Sequence, residues 1–219
     1  MNHLALFDCD GTLVDSQAGI CLAMEKAFSE AGLEPPTRNA TRQVVGLSLY
    51  EIMRTLLPRA DEAQHRDMAE RYRAAFLALR GAGQVDEPLY DGIKDLIVRL
   101  NQGGWMLGVA TGKSDRGLTR CLDHHSIRDH FVSLQTADRH PSKPHPSMII
   151  QAMADASSSA ATTIMIGDTS FDIEMGVAAR CRTIGVAWGY HAAEELRDCG
   201  ADVVVNSVSE LAETLEHMR

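Results

Sequence analysis

No stretch of this 219-residue chain is apolar for long enough to cross a membrane, and charge arrives at Asp8, too early for a secretory leader. The five cysteines (Cys9, Cys21, Cys121, Cys181 and Cys199) include no C-x-x-C pair and are odd in number, so neither a disulfide framework nor a thiolate zinc site is expected. Free thiols fit a reducing compartment, and the expectation is a cytoplasmic protein. The nine histidines contain no H-E-x-x-H pair. Surface or loop positions are expected for them, His124, His125, His140 and His145 included. Positive charge is also scarce: 21 Lys and Arg face 30 Asp and Glu, a formal charge of -9. Such a field makes nucleic acid and anionic membranes poor partners, so any anion site must build its own local positive potential. Repeats and low-complexity tracts are absent.

With 45% apolar and 23% charged residues, the chain can build a packed core. Short apolar runs at 3–7, 105–110, 131–136, 163–167, 183–188 and 202–206 read as strands. They are continuously apolar, which predicts a sheet covered on both faces. Helical patterns at 92–102, 114–124, 146–156, 170–179 and 209–217 alternate with them. The expected fold is therefore α/β, a doubly wound, mostly parallel sheet. One segment breaks the alternation. Ile20, Met24, Ala27, Phe28 and Ala31 recur at helical spacing up to Gly32, and Met68, Tyr72, Ala75, Phe76 and Leu79 repeat the pattern up to Gly81. The division expected is a core of residues 1–14 and 89–219 with a helical insert, residues 15–88.

In a parallel sheet all strands end on one edge, where ligands bind. The first apolar run enters "DCDG", Asp8 to Gly11; the second enters Thr111, Gly112, Lys113 and Ser114; Lys143 and Pro144 follow the third; Gly167, Asp168, Thr169 and Asp172 end or follow the fourth. Carboxylates gathered in one partly desolvated cleft repel one another, and a cation relieves this. An all-oxygen set without histidine or cysteine suits Mg²⁺. Lys143, the Thr111 hydroxyl and backbone amides around Gly11 and Gly112 could then neutralise a phosphoryl group. Residues two apart in an extended segment point the same way, so Asp8 and Asp10 could address one substrate. One carboxylate can attack phosphorus while the other moves a proton at the leaving oxygen.

Each piece alone also has a structural reading. Asp8 and Asp10 could form a strand-end turn, Thr111 to Lys113 a helix cap, and Lys143 a solvated loop lysine. Asp172 stands three residues after Thr169, a capping-box spacing, and both readings stay open for it. The combination of all four, in order and each after a strand, favours chemistry.

These residues resemble the signatures of the haloacid dehalogenase-like hydrolases. "DCDGTLVDS" looks like the first, "ATGKS" the second, "SKPHP" the third and "IGDTSFDIEMG" the fourth, and the insert is similar to the family's C1 cap. The resemblance implies Asp8 as nucleophile and metal ligand. It implies Asp10 as general acid/base, with its backbone carbonyl also on Mg²⁺. Thr111, Gly112 and Lys143 would hold the phosphoryl group. Asp168 would complete the metal site, and Asp172 would sit nearby as a ligand through water or an orienter of Lys143. Asp10 argues for phosphoryl transfer, since the family's dehalogenases lack it. The expectation is a Mg²⁺-dependent phosphatase of a small phosphorylated metabolite. The cap stretch 43–53 looks like phosphoglycolate phosphatase-type enzymes, which makes phosphoglycolate the first guess. Alternatives are a phosphoglucomutase-like transferase, a phospho-acceptor domain or a non-catalytic binding protein.

Overall fold

The computed structural model describes residues 2–218. Strands β1 (Leu4–Phe7), β2 (Met106–Thr111), β3 (Ser133–Thr136), β4 (Thr163–Gly167), β5 (Arg182–Val186) and β6 (Val203–Val205) form one sheet. Their order is β3-β2-β1-β4-β5-β6, and every neighbouring pair is parallel. The helices are, in chain order, α1 (Gln17–Glu30), α2 (Arg38–Arg42), α3 (Leu49–Leu56), α4 (Glu62–Gly81), α5 (Ile93–Gln102), α6 (Asp115–His124), α7 (Ser147–Asp155), α8 (Ser170–Ala178), α9 (Ala193–Asp198) and α10 (Val208–His217). The α/β class and the parallel sheet expected from the strand pattern are therefore present.

The continuous apolar character of β1 follows from its place at the centre. Ala5 and Phe7 point into one core, with Ile93, Ile97, Leu118 and Leu211 from α5, α6 and α10. Leu4 and Leu6 point into the other, with Met148, Ile149 and Met175 from α7 and α8. Burying each of the large side chains contributes about 1.5–3 kcal/mol. A strand covered on both faces has no polar side to alternate with.

Helices α1 to α4 leave the sheet after β1. Met24, Ala27, Phe28, Met53, Met68 and Ala75 make their own small core. His65 belongs inside it, its Nε2 2.9 Å from the Leu57 carbonyl oxygen. His191 is buried as well. His65, in α4, departs from the surface or loop positions expected, because its ring has a hydrogen-bonding partner that offsets its burial; His191 lies in the loop between β5 and α9, where its Nδ1 accepts from the Ser170 amide at 3.1 Å. The outgoing and returning chains run side by side: the Asp15 amide donates to Pro88 at 2.9 Å and the Tyr90 amide to Leu13 at 3.1 Å. Among the described residues no helix is long and apolar enough to cross a membrane.

Candidate active site

Four loops at the carboxyl edge of β1 to β4 deliver the polar residues. Asp8 follows β1 directly, its amide still donating to Ile166 of β4 at 2.9 Å, so its backbone is an extension of the sheet. Gly11 then turns at φ +90, where an added Cβ would lie 2.2 Å from Asp168 Oδ2 and 2.5 Å from the Tyr190 ring. Only glycine allows the β1 loop to lie this close to the β4 loop.

Asp8, Lys143, Asp168 and Asp172 meet beneath this turn, exposed by only 1%, 2%, 0% and 0%. Lys143 Nζ lies 2.8 Å from Asp8 Oδ1 and 2.6 Å from Asp172 Oδ1. The Asp172 contact is a hydrogen bond. The Asp8 contact is an ion pair off the line a hydrogen bond needs, and both carboxylate oxygens of Asp8 lack a hydrogen-bond donor. Asp168 is held by the Thr12 hydroxyl at 2.7 Å and the Tyr190 amide at 2.9 Å. The second oxygen of Asp172 accepts from the Thr169 amide and hydroxyl, at 3.1 and 2.7 Å, capping α8.

Three carboxylates against one ammonium leave two negative charges uncompensated in a buried space. Burial pushes the Asp8 carboxyl up to about 7, with Lys143 pulling against it. Burial, and then Asp8 and Asp172, push Asp168 well above the usual carboxylate range. Burial works against the charge of Lys143, but Asp172 and Asp8 outweigh it and hold its pKa above normal. One oxygen from each of the three aspartates lies within 4.8 Å of the others. Unpartnered hard oxygen donors and an excess of two negative charges fit a divalent cation such as Mg²⁺.

Asp10 faces elsewhere. Lys113 Nζ donates to its two carboxylate oxygens at 2.8 and 3.0 Å and to Glu87 Oε1 at 2.9 Å. Burial disfavours the Lys113 charge, yet Asp10 more than restores it. Glu87 also pairs with Arg80 of α4. The Asp10 carboxylate is thus outside the buried trio, and sequence reasoning missed the grip of Lys113, itself paired with Glu87, on it. Thr111 ends β2, and its Oγ1 accepts from the Lys113 amide at 3.2 Å. Asp8, Asp10, Thr111 and Gly112 open together onto a cavity of about 390 Å³ beneath helices α1, α3 and α4.

Against known proteins, the family model described as "Haloacid dehalogenase-like hydrolase" matches residues 5–186. The chain belongs to this family. The four loops that converge here all lie within the matched residues. A Dickeya dadantii relative named "Probable phosphatase IndB" is 32% identical over 96% of this chain and 92% of its own. The phosphoglycolate phosphatase of Vibrio parahaemolyticus is 28% identical over 97% and 95%. A crystal structure titled as a predicted phosphatase from Clostridium acetobutylicum superposes with a TM-score of 0.89 at 28% identity, covering 99% of both chains.

Gly112 offers a test of how closely the helical segment must sit. A Cβ there would lie 2.4 Å from the Leu47 carbonyl oxygen and 2.7 Å from that of Gly46, both backbone atoms. Gly112→Ala should therefore displace the 46–47 segment from the site. A misplacement of about 1 Å costs about 10²-fold in kcat/KM, and steady-state kinetics should record a loss of that order with unchanged circular dichroism.

Proposed function

We propose that this chain hydrolyses phosphomonoesters of small metabolites in the cytoplasm, through phosphorylation of Asp8 and with Mg²⁺ as cofactor. The observation that carries the reading is the buried Asp8 carboxylate, ion-paired with Lys143 at 2.8 Å but without a well-aligned hydrogen bond, in a residue that lines the cavity. A carboxylate held beside a cation, with lone pairs not tied up in aligned hydrogen bonds, is a competent nucleophile. Residues 1–14 and 89–219 form the catalytic core in this reading, and residues 15–88 the cap that excludes water.

Asp8 and Asp168 would hold the cation, with the backbone carbonyl of Asp10; Asp172 orients Lys143, to which it is hydrogen-bonded at 2.6 Å. Mg²⁺, when bound, supplies the positive charge that offsets the carboxylates and the phosphoryl oxygens. Lys143, the Thr111 hydroxyl and the Gly112 amide orient the phosphoryl group. Asp8 attacks phosphorus, and the ester oxygen leaves with a proton from Asp10. Asp10 then takes a proton from water as that water attacks the aspartyl-phosphate, which returns Asp8 and releases phosphate. Lys113 keeps the Asp10 carboxylate fixed between these two transfers. The relatives named as phosphatases support hydrolysis, and phosphoglycolate is the first substrate to assay.

The test is release of phosphate from a phosphomonoester panel with Mg²⁺, abolished by chelation; no release from any member overturns the reading. Product analysis with a sugar bisphosphate separates a phosphatase from a phosphoglucomutase-like enzyme, which would return an isomer. Asp10→Asn should lower kcat about 10²–10⁴-fold on alkyl phosphates. The loss should be smaller on an aryl phosphate, whose leaving oxygen needs its proton less.

The cation should also act on stability in a pH-dependent way. Without it, Asp8 titrates near 7 in the folded chain against 3.8 unfolded. The folded state binds the extra proton between these values, so stability falls as pH rises through about 7. Mg²⁺ needs the ionised carboxylates and competes with that proton. Thermal melts should show several degrees of Mg²⁺ stabilisation at pH 8 and less than half as much at pH 5. Equal shifts at both would contradict the site.

A further inference from the structure

We propose that the natural substrate carries two features beyond its phosphoryl group: a ring-sized apolar body, and a second anion bound by Arg116 and Arg120 at the cavity mouth. This rests on the phosphatase reading and extends it to the leaving group.

The cavity is too large and too apolar for a two-carbon leaving group. Its 390 Å³ falls in the range of about 300–1,000 Å³ that takes drug-sized ligands. At about 30 Å³ per water, a small acid would leave much of it filled with solvent. The wall over Asp10 is built from Ile20, Met24, Val45, Tyr72 and Phe76. The rings of Tyr72 and Phe76 stand 6.0 Å apart at 33°, a tilted aromatic surface. Water against such a wall gains by being displaced, and a ring displaces it.

The charges on the cavity supply the second feature. Lys113 and Arg80 are already committed, to Asp10 and Glu87 and to Glu87 respectively. Arg116 and Arg120 are not. They stand one turn apart on α6 and both line the cavity. The acidic residues near them are engaged elsewhere: Asp115 with Arg139, Asp123 with Arg128, and Asp138 with the Asp115 amide. Among the described residues neither arginine has an ion-pair partner. Arg120 stands close enough to Arg80 to help burial lower the Arg80 pKa, so the mouth gathers cations that repel. In a protein of net charge -9, this is a local positive potential facing the entrance. Guanidinium forks suit carboxylate or phosphate. Helical rise puts Arg120 about 6 Å beyond Arg116 along the axis. Both arginines line the same cavity as Asp8 and stand at its exposed rim, so a substrate that fills the cavity outward from Asp8 brings its second anion to this pair.

The experiment compares kcat/KM for phenyl phosphate, 4-carboxyphenyl phosphate, 1,4-phenylene bisphosphate and phosphoglycolate, with the parent and an Arg116→Ala/Arg120→Ala variant. The expected result is at least a 10-fold preference for a ring substrate bearing a second anion over both phenyl phosphate and phosphoglycolate. The two ring substrates with a second anionic group distinguish carboxylate from phosphate as that anion. The variant should lose at least 10-fold more on the preferred substrate than on phenyl phosphate. Phosphoglycolate outrunning every ring substrate would overturn the proposal, as would equal losses on all substrates. If nothing is hydrolysed, the catalytic reading fails separately. The subsite is then read by calorimetry with phenylphosphonate and 4-carboxyphenylphosphonate: a 10-fold tighter fit of the latter, lost in the variant, supports it, and equal affinity refutes it.

Discussion

Asp8→Asn should abolish turnover, by on the order of 10⁴-fold or more, while leaving the protein as stable as the parent or more so. The two effects have one cause. Asp8 is buried among Asp168, Asp172 and Lys143 with no hydrogen bond to either oxygen, and burial lifts its carboxyl to about 7. Three buried carboxylates share one ammonium, so the Asp8 charge is only partly compensated, and asparagine has the same shape without that charge. It removes repulsion with Asp168, and Lys143 keeps its hydrogen bond to Asp172. What it cannot do is attack phosphorus. A site that holds a destabilising charge is expected where activity needs that charge. Thermal melts and phosphate release on the same preparation check both halves. Activity within about 10-fold of the parent would remove Asp8 from the chemistry.

Lys143→Met should have the largest effect on stability. The ammonium is fully buried, 2.8 Å from Asp8 and 2.6 Å from Asp172. Methionine fills similar space but leaves three buried aspartates facing one another with no cation from the chain. Removing one partner of a buried pair costs about 3–5 kcal/mol. For a chain of this size each kcal/mol lowers Tm by about 2–4 °C, so a fall of about 10 °C is expected in metal-free buffer. Mg²⁺ should recover part of it, since the vacated charge is what a cation supplies. Turnover should fall independently, by about 10²–10³-fold, because a donor to the phosphoryl oxygens is lost. A melt unchanged from the parent would mean that Lys143 does not neutralise the trio.

Much of this was readable before any coordinates, for identifiable reasons. The strands β1, β2 and β4 are buried on both faces, so their sequences are unbroken apolar runs. Their ends stood out because each run stops at a charged or hydroxyl residue. The elements missed were short: α2 (Arg38–Arg42) and α9 (Ala193–Asp198) are too brief to build an apolar stripe, whereas α3 (Leu49–Leu56) carries one in Leu49, Ile52, Met53 and Leu56. For α3 a signal existed in Ser48 and Glu51, a capping spacing, and Ser48 Oγ does accept from the Glu51 amide at 3.4 Å. The two open readings of Asp172 turn out to be compatible, because one oxygen meets Lys143 and the other caps α8. The role of Lys113 was not legible, since its partners Asp10 and Glu87 lie 103 and 26 residues away. Arg116 and Arg120 escaped notice similarly: their meaning depends on which carboxylates the fold leaves out of their reach.

The account stands or falls on where the phosphoryl group rests between the two half-reactions. Quenching a reacting sample into borohydride reduces an aspartyl-phosphate to homoserine, which peptide mass spectrometry locates. The expected result is homoserine at position 8 alone, dependent on substrate and Mg²⁺. Homoserine at another aspartate, or none at any position while phosphate is being released, would contradict it.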